Sequence, residues 1–434
     1  MKTKLLFLIA LFFLISSNSS QWIEQTSGHN IRLNGVSSLN SVISPIHGWI
    51  CGNNGIVITT SNGGTNWISA FSNIPPTANL TSILGMNNSY MRAITAGSLS
   101  GNTAVVYFTS NGGASWQNTF MQTGGEIYGF AELSSMYDIL LIGKPVGNRW
   151  TIFRSTNEGR NWDSAGCYLP QSGNETGFMN SVFALEGKAW FGTNNSRIYY
   201  TPSGVNWTVQ STVPEINSSV VWFQFLLTDQ SIVGMGLTAG TTLSKTTNLG
   251  MNWTPVTAAG SGNITGIAGS PSSFSKSWYS RGDKIYTGIE GNSWLLEYTA
   301  PSGVYTHIAN NKTGSPNVWA VRDNGGISKY TGQIGIHVIS NEVPEKFTLS
   351  QNYPNPFNPS TTISFSIPAT SSVAQTFLTV YDVMGREVAL LVNQPLTPGI
   401  YSVDWDAASF PSGVYFYRLT TGEFSQTNKM ILLK

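Results

Sequence analysis

The sequence predicts an all-β chain: a seven-bladed β-propeller, with six blades as the alternative, followed by a small immunoglobulin-like β-sandwich. Three observations predict it. The 434 residues hold 45 Gly and 14 Trp but only 10% charged side chains, a balance poor in helix formers and rich in strand and turn residues. A motif of the form Thr-x-Asn-x-Gly-x-x-Trp recurs through residues 60–294. Past residue 346 it stops, and a proline-punctuated pattern begins.

The chain opens on an address. Lys2 and Lys4 precede an apolar run of 11 residues, 5–15, and small polar residues fill 16–20. This is the pattern of a cleaved secretory leader over residues 1–20. The run is too short for a membrane span, which takes about 20 residues. An exported chain has access to disulfides, yet Cys51 and Cys167 are its only two cysteines, so a disulfide framework is excluded and two buried thiols are expected. The formal charge of +1 gives no electrostatic ground for nucleic acid or an anionic membrane as partner.

Residues 21–337 carry the repeat. Thr60-Ser61-Asn62-Gly63-Gly64-Thr65-Asn66-Trp67 sets the pattern. It returns with Asn111, Gly113 and Trp116, with Asn157, Gly159 and Trp162, and with Asn248, Gly250 and Trp253. Two copies are degraded: the one ending at Trp207 is a residue short, and the one ending at Trp294 has Ile289 for Asn. The Trp intervals are 49, 46, 45, 46 and 41 residues, and Trp22 lies 45 before Trp67, in frame. That period suits one four-stranded blade of about 40–50 residues. Each unit is expected to open on a strand such as 39–42 or 179–183. A second strand ends in Gly, as in Trp49-Ile50-Cys51-Gly52, and a third leads into the motif. The fourth begins at the Trp. Thr and Asn are to bind nearby backbone and hold the turn, Gly to supply a positive φ, and Trp to fill the gap against the next blade. After Trp294 the chain has room for three strands only. The segment Trp22-Ile23-Glu24-Gln25 is in frame to supply a fourth and close the ring, removing its edges.

These residues resemble the Asp-box, or bacterial neuraminidase repeat, with Asn in place of the usual Asp. The whole region is similar to propellers related to photosystem II assembly factors and to neuraminidase-repeat glycosidases. The resemblance implies a structural role for the boxes and a fold, and leaves function open.

Residues 338–346 read as a linker, and 347–434 as the second module. Pro354, Pro356 and Pro359 predict a stiff, extended lead-in. Strands are expected at 362–367, 376–381, 387–392, 399–405, 413–419 and 426–432, enough for a small sandwich. The strings YPNPFNPSTTISFSIP, LTVYDVMGREV, PSGVYFYRL and KMILLK resemble, in order, the C-terminal sorting domain of type IX secretion substrates. The resemblance implies passage through the periplasm, reading by the outer-membrane translocon, removal by a sortase-like protease, and an extracellular or cell-surface destination.

No catalytic residue, metal site or cofactor is assigned. His29, His47, His307 and His337 lack zinc-type spacing and are expected in loops or at the surface. Of 14 carboxylates between residues 21 and 337, Asp283, Glu290 and Asp323 are glycosidase candidates by neighbourhood alone. One position suggests binding. The residue before the second-strand Gly is Cys51, Ala96, Ile142 and Phe191 in early units, but Arg281 and Arg322 in the last two. Either these arginines pair with Asp283 and Asp323, or, with Trp278 and Trp319, they form a cationic aromatic mouth for an anionic group. The expected function is a non-catalytic binding or scaffold module for a surface protein or glycan. The alternative is a carbohydrate-active enzyme of the neuraminidase-repeat type.

Overall fold

The computed structural model describes residues 22–433 apart from 40–46, 87–90, 101, 134–136, 186, 195–196, 212–219, 229–230, 239–241, 247, 249, 270–275, 290–291, 311–316, 331–336, 341–343, 369–373, 397, 408–409 and 423. The expected leader, residues 1–20, lies outside the described residues.

Residues 22–330 form seven antiparallel sheets among the described residues. Blade 1 holds Leu33–Ser38, Gly48–Gly52, Val57–Thr60 and Ile68–Ser69; blade 2 holds Asn79–Gly85, Ala93–Leu99, Thr103–Thr109 and Gln117–Thr123. Blade 3 holds Ile127–Glu132, Ile139–Val146 and Arg149–Ser155, with Asp163 and Pro170 bridging where a fourth strand would run. Blade 4 holds Gly177–Leu185, Lys188–Thr193, Arg197–Thr201 and Thr208–Ser211. Blade 5 holds Val220–Thr228, Ser231–Thr238, Thr242–Thr246 and Thr254–Val256. Blade 6 holds Ile264–Gly269, Lys276–Arg281, Lys284–Ile289 and Asn292–Thr299. Blade 7 holds Tyr305–Ala309, Trp319–Arg322 and Gly326–Tyr330, completed by Trp22–Thr26. That last pairing runs antiparallel from Trp22 opposite Tyr330 to Thr26 opposite Gly326, as the frame of Trp22 predicts. First strands of successive blades touch all the way round, and blade 7 touches blade 1. The ring is a seven-bladed β-propeller. Its blade 1 opens at Leu33, earlier than the expected 39–42.

Packing follows the same cycle. The described buried apolar residues of the ring fall into seven clusters, each made by two neighbouring blades. Second-strand Trp49, Trp190, Trp278 and Trp319 are fully buried. Burying an indole contributes about 4–6 kcal/mol gross.

The boxes work as hairpin locks. In blade 2, Thr109 Oγ1 accepts from Gly113 N at 3.1 Å, and Asn111 Oδ1 accepts from Ser115 N at 3.0 Å. Copies at Thr60, Ser155 and Thr246 repeat both bonds. Gly113 has φ +83, and a Cβ there would lie 2.5 Å from Ala70 Cβ, so neither its conformation nor its space admits a side chain. The shortened copy keeps the Thr201 bond to Gly204 N at 2.8 Å. The sixth copy departs from this pattern: Thr287 sits inside a ladder opposite Leu295, and Ile289 pairs with Asn292. The Trp side chains also face the opposite way from expectation. Trp67, Trp116 and Trp162 donate to Gln25 Oε1, Ala70 O and Thr119 Oγ1, all on the preceding blade. Trp22 likewise reaches Glu297 on blade 6.

The C-terminal module is a sandwich of two four-stranded sheets. One orders His337–Ser340, Gly399–Asp406, Ser360–Ile367 and Thr348–Leu349; the other orders Glu387–Leu396, Ala374–Tyr381, Gly413–Thr421 and Phe424–Leu432. Both line a single core that includes Phe365, Val380, Trp405, Tyr417 and Met430. Two expectations change. The segment read as the end of the ring and the start of a linker contains His337–Ser340, an edge strand paired with Gly399–Asp406. The proline segment, expected as a stiff, extended lead-in, packs into the sandwich itself. Tyr353 pairs with Thr362, Phe357 N donates to Ile431 O at 3.0 Å, and the Phe357 ring is 2% exposed. The prolines remove competing donors, while Asn355 Oδ1 takes the Ile431 N–H at 2.9 Å.

Candidate functional site

The four side chains expected at the mouth lie inside the blades. Arg281 and Arg322 are 3% and 2% exposed, and Trp278 and Trp319 are fully buried. Arg281 Nη1 donates to the carbonyls of Ala259 and Gly260, each at 2.6 Å, on the connection entering blade 6. Arg322 grips Glu24 with both Nη atoms, and Nη1 also reaches Ser328 Oγ at 3.2 Å. Neither expected partner is used. Asp283 pairs with Lys284 at 2.6 Å, and Asp323 accepts from Val304 N at 2.9 Å. A guanidinium removed from water requires such partners, so a cationic strand end became an internal clamp and not an open face.

That clamp is where the ring closes. Glu24 Oε1 accepts from Ser328 Oγ at 2.6 Å and Tyr298 OH at 2.9 Å as well as from Arg322. Burial alone lowers the Arg322 pKa; the bonds and charge of Glu24 outweigh it and hold it above its ordinary value. Burial, then Glu24, pushes the Tyr298 phenol up to about 12. Next to Glu24, Gln25 Oε1 accepts from two indoles, Trp67 and Trp319, both at 3.0 Å. Glu297 Oε2 does the same for Trp22 at 3.0 Å and Trp278 at 2.8 Å.

A second set of contacts surrounds the axis. The first strand is irregular at Asn34, Thr81 and Thr306. Each side chain crosses to the next blade: Asn34 Nδ2 to Leu80 O at 2.8 Å, Thr81 Oγ1 to Ile127 O at 3.3 Å, Thr306 Oγ1 to Leu33 O at 2.5 Å. In blade 4 the irregularity widens, its register breaking between Gly177 and Val182. From it Asn180, φ +59, donates to Asn34 O at 3.0 Å. Blades 4 and 1 are three steps apart, so this bond spans the axis. Sequence reasoning missed these contacts, although their Asn and Thr recur in phase. His307, expected in a loop or at the surface, is half-buried on a first strand, accepts from Val36 N through Nδ1 at 3.1 Å, and desolvation lowers its pKa to about 3.

Several carboxylates of the ring are held by neighbouring side chains. Buried Glu158 binds Arg92 at 2.5 Å and Arg160 at 3.2 Å, and Asp138 binds Arg154 at 2.7 Å. Glu175 accepts from Thr193 Oγ1 at 2.7 Å and Tyr199 OH at 2.8 Å. This glutamate–tyrosine pair is 2% and 3% exposed, and burial pushes the phenol up to about 12, far from a nucleophile. Glu290 lies outside the described residues. A depression of about 740 Å³ runs along the outside of blades 1 and 2, lined by uncharged residues including Asn54, Phe71, Asn73 and Gly112. Cys51 and Cys167 are buried and unbridged, and burial drives the Cys51 thiol up to about 12. Among the described residues no group of three or more His, Cys, Asp or Glu is arranged to hold a metal ion, and no helix is long and apolar enough to cross a membrane.

Residues 351–433 match the family of secretion system C-terminal sorting domains. This match implies export by type IX secretion to the cell surface or extracellular space, and contact with that machinery. The chain is similar to the solved structure of YCF48 bound to D1 peptide, with 15% identity and a TM-score of 0.55, over 73% of this chain and 96% of that one. It is similar to YCF48 from Cyanidioschyzon merolae at 16% identity and a TM-score of 0.53, over 71% and 98%. At such identity the likeness shows the propeller fold alone. No curated protein matches the chain significantly in sequence.

Proposed function

We propose that the chain is a type IX cargo whose propeller is a non-catalytic binding or scaffold module for a surface protein or glycan. The leader at residues 1–20 directs it to the periplasm, and a sortase-like protease removes the C-terminal module after the translocon has read it. One observation carries the non-catalytic reading. Among the described residues, the buried side chains Glu158, Glu175, Arg281 and Arg322, and Glu24 with Arg322, are engaged inside or between blades. Binding therefore falls to polar, uncharged loops held on a rigid ring. The similar YCF48 structure has a D1 peptide bound, so peptides are the first ligand class to test. The test is an array of peptides and glycans, run beside glycosidase substrates, on the leaderless chain. Saturable binding without turnover is expected. Hydrolysis of any glycoside sinks the non-catalytic reading in favour of a carbohydrate-active enzyme.

A further inference from the structure

The sorting module presents a feature that its fold does not require. The hairpin joining Ala374–Tyr381 to Glu387–Leu396 turns through residues 382–386. Asp382 Oδ1 accepts from Met384 N at 2.9 Å and Arg386 N at 3.0 Å, and Oδ2 takes Arg386 Nε at 2.7 Å. Gly385 supplies φ +73. These two residues and Arg386 hold the turn. The side chains at its tip take no part in that, yet they are Val383 and Met384, 66% and 76% exposed. Polar residues fit a turn tip as well, and burying Val and Met would each contribute about 1.5–3 kcal/mol that exposure forgoes. A rigid turn holding two adjacent apolar side chains in water is preorganised for an apolar partner.

The surroundings add charge. Tyr381, Phe416 and Lys429 lie in one row across the sheet. Arg418 stacks over the Tyr381 ring at 5.0 Å, and the Arg386 side chain is 77% exposed. Arg386 lies in the turn itself and Arg418 and Lys429 on the strands beside it, against Asp382, which Arg386 engages, and Glu387. The turn lies within the 351–433 match, the part of the chain that secretion machinery has to recognise. We propose that this tip is the recognition element of the module: Val383 and Met384 enter an apolar slot with an acidic rim on a protein of the type IX translocon. The proposal rests on the export reading above.

The test uses the full chain expressed with its leader in a bacterium that has type IX secretion, comparing surface-delivered with retained protein. V383S/M384S should cut delivery roughly tenfold or more, with melting transitions unchanged. V383I/M384L keeps the tip apolar and should be delivered like the parent chain. Deleting residues 337–434 separates the two claims. If the deletion leaves delivery intact, the export reading itself is wrong. If the deletion stops delivery while V383S/M384S is delivered normally, or while V383I/M384L falls as far as the serine pair, the tip is not the recognition element and the export reading stands.

Discussion

The ring and the C-terminal module are both all-β and both poor in charge, but they distribute their cohesion differently. Described apolar burial in the ring is split into seven clusters, one at each blade junction, and polar side chains stitch neighbouring blades together. In the module a single cluster runs through both sheets and contains no ring residue. A ring divided in this way depends on closure, because an open seam exposes two sheet edges. A sandwich around one core tolerates polar change on its surface, which leaves its turns free for recognition. The difference teaches where each unit is vulnerable.

The largest effect should come from separating them. Ending the chain after residue 336 should abolish surface delivery while the ring keeps its own cooperative unfolding. Ending it after residue 346 should also abolish delivery, but it leaves His337–Ser340 without Gly399–Asp406, an unpaired edge strand. That longer truncation is expected to aggregate more on heating, measured by light scattering. Equal behaviour of the two truncations would return the boundary to residue 346.

The next effect tests the seam. Glu24→Ala leaves Arg322, 2% exposed, without its carboxylate. Removing one partner of a buried pair costs about 3–5 kcal/mol, and the low end applies because the Glu24 side chain is 33% exposed. Denaturant unfolding should show the loss in the ring transition and none in the module. Pairing Glu24→Gln with Arg322→Met should restore much of it. A matching loss in the module transition would break the idea of two independent cores.

Much of the architecture was legible in the sequence. Box spacing gave the blades, Trp22 in frame gave the closing strand, and the six expected strands of the module all appear. What was not legible has a common physical form. A period reports register but not the direction in which a side chain reaches: the spacing points Trp67 at the next blade, whereas it binds Gln25 on the preceding one. Closure joins residues far apart in the chain: Arg322 meets Glu24 across 298 positions, while Asp323 next to it is the misleading neighbour. His307 is polar in a strand pattern and reads as surface, because nothing local reveals that Val36 N supplies its one needed donor. What the ring does was not legible because the repeat specifies turns and packing, which every blade needs alike.

Acid should divide the two units as well. His307 ionises at about 3 in the fold against an ordinary 6.5, because burial penalises its charged form. Its folded pKa is depressed, so its neutral form stabilises the ring fully above about pH 6.5, and that contribution is lost as pH falls toward 3. The slope is up to about 1.4 kcal/mol per pH unit. Between pH 6.5 and pH 4.5, above the range of ordinary carboxylates, the ring transition should weaken and the module should hold. His307→Gln should remove the larger part of that dependence and leave the part from His47, whose pKa burial also lowers. A ring whose stability is level across this window would mean that the His307 environment admits the proton.

The smallest effect concerns the boxes. Thr109→Ala deletes the hydroxyl that receives Gly113 N, and Asn111→Ala deletes the oxygen that receives Ser115 N. Each is a local lock at a hairpin, comparable to losing a helix cap, and should cost about 1 kcal/mol, or about 2 °C in the ring transition. Thr287→Ala is the comparison. It occupies the box position by sequence but sits in a ladder opposite Leu295, with its hydroxyl donating to Ser277 O at 3.2 Å. If Thr109 and Thr287 give the same loss, the hydroxyl contributes as a general strand contact. If only Thr109 matters, the box is a lock that some blades use and blade 6 does not. The ring is then a repeat whose copies share a period without sharing a mechanism.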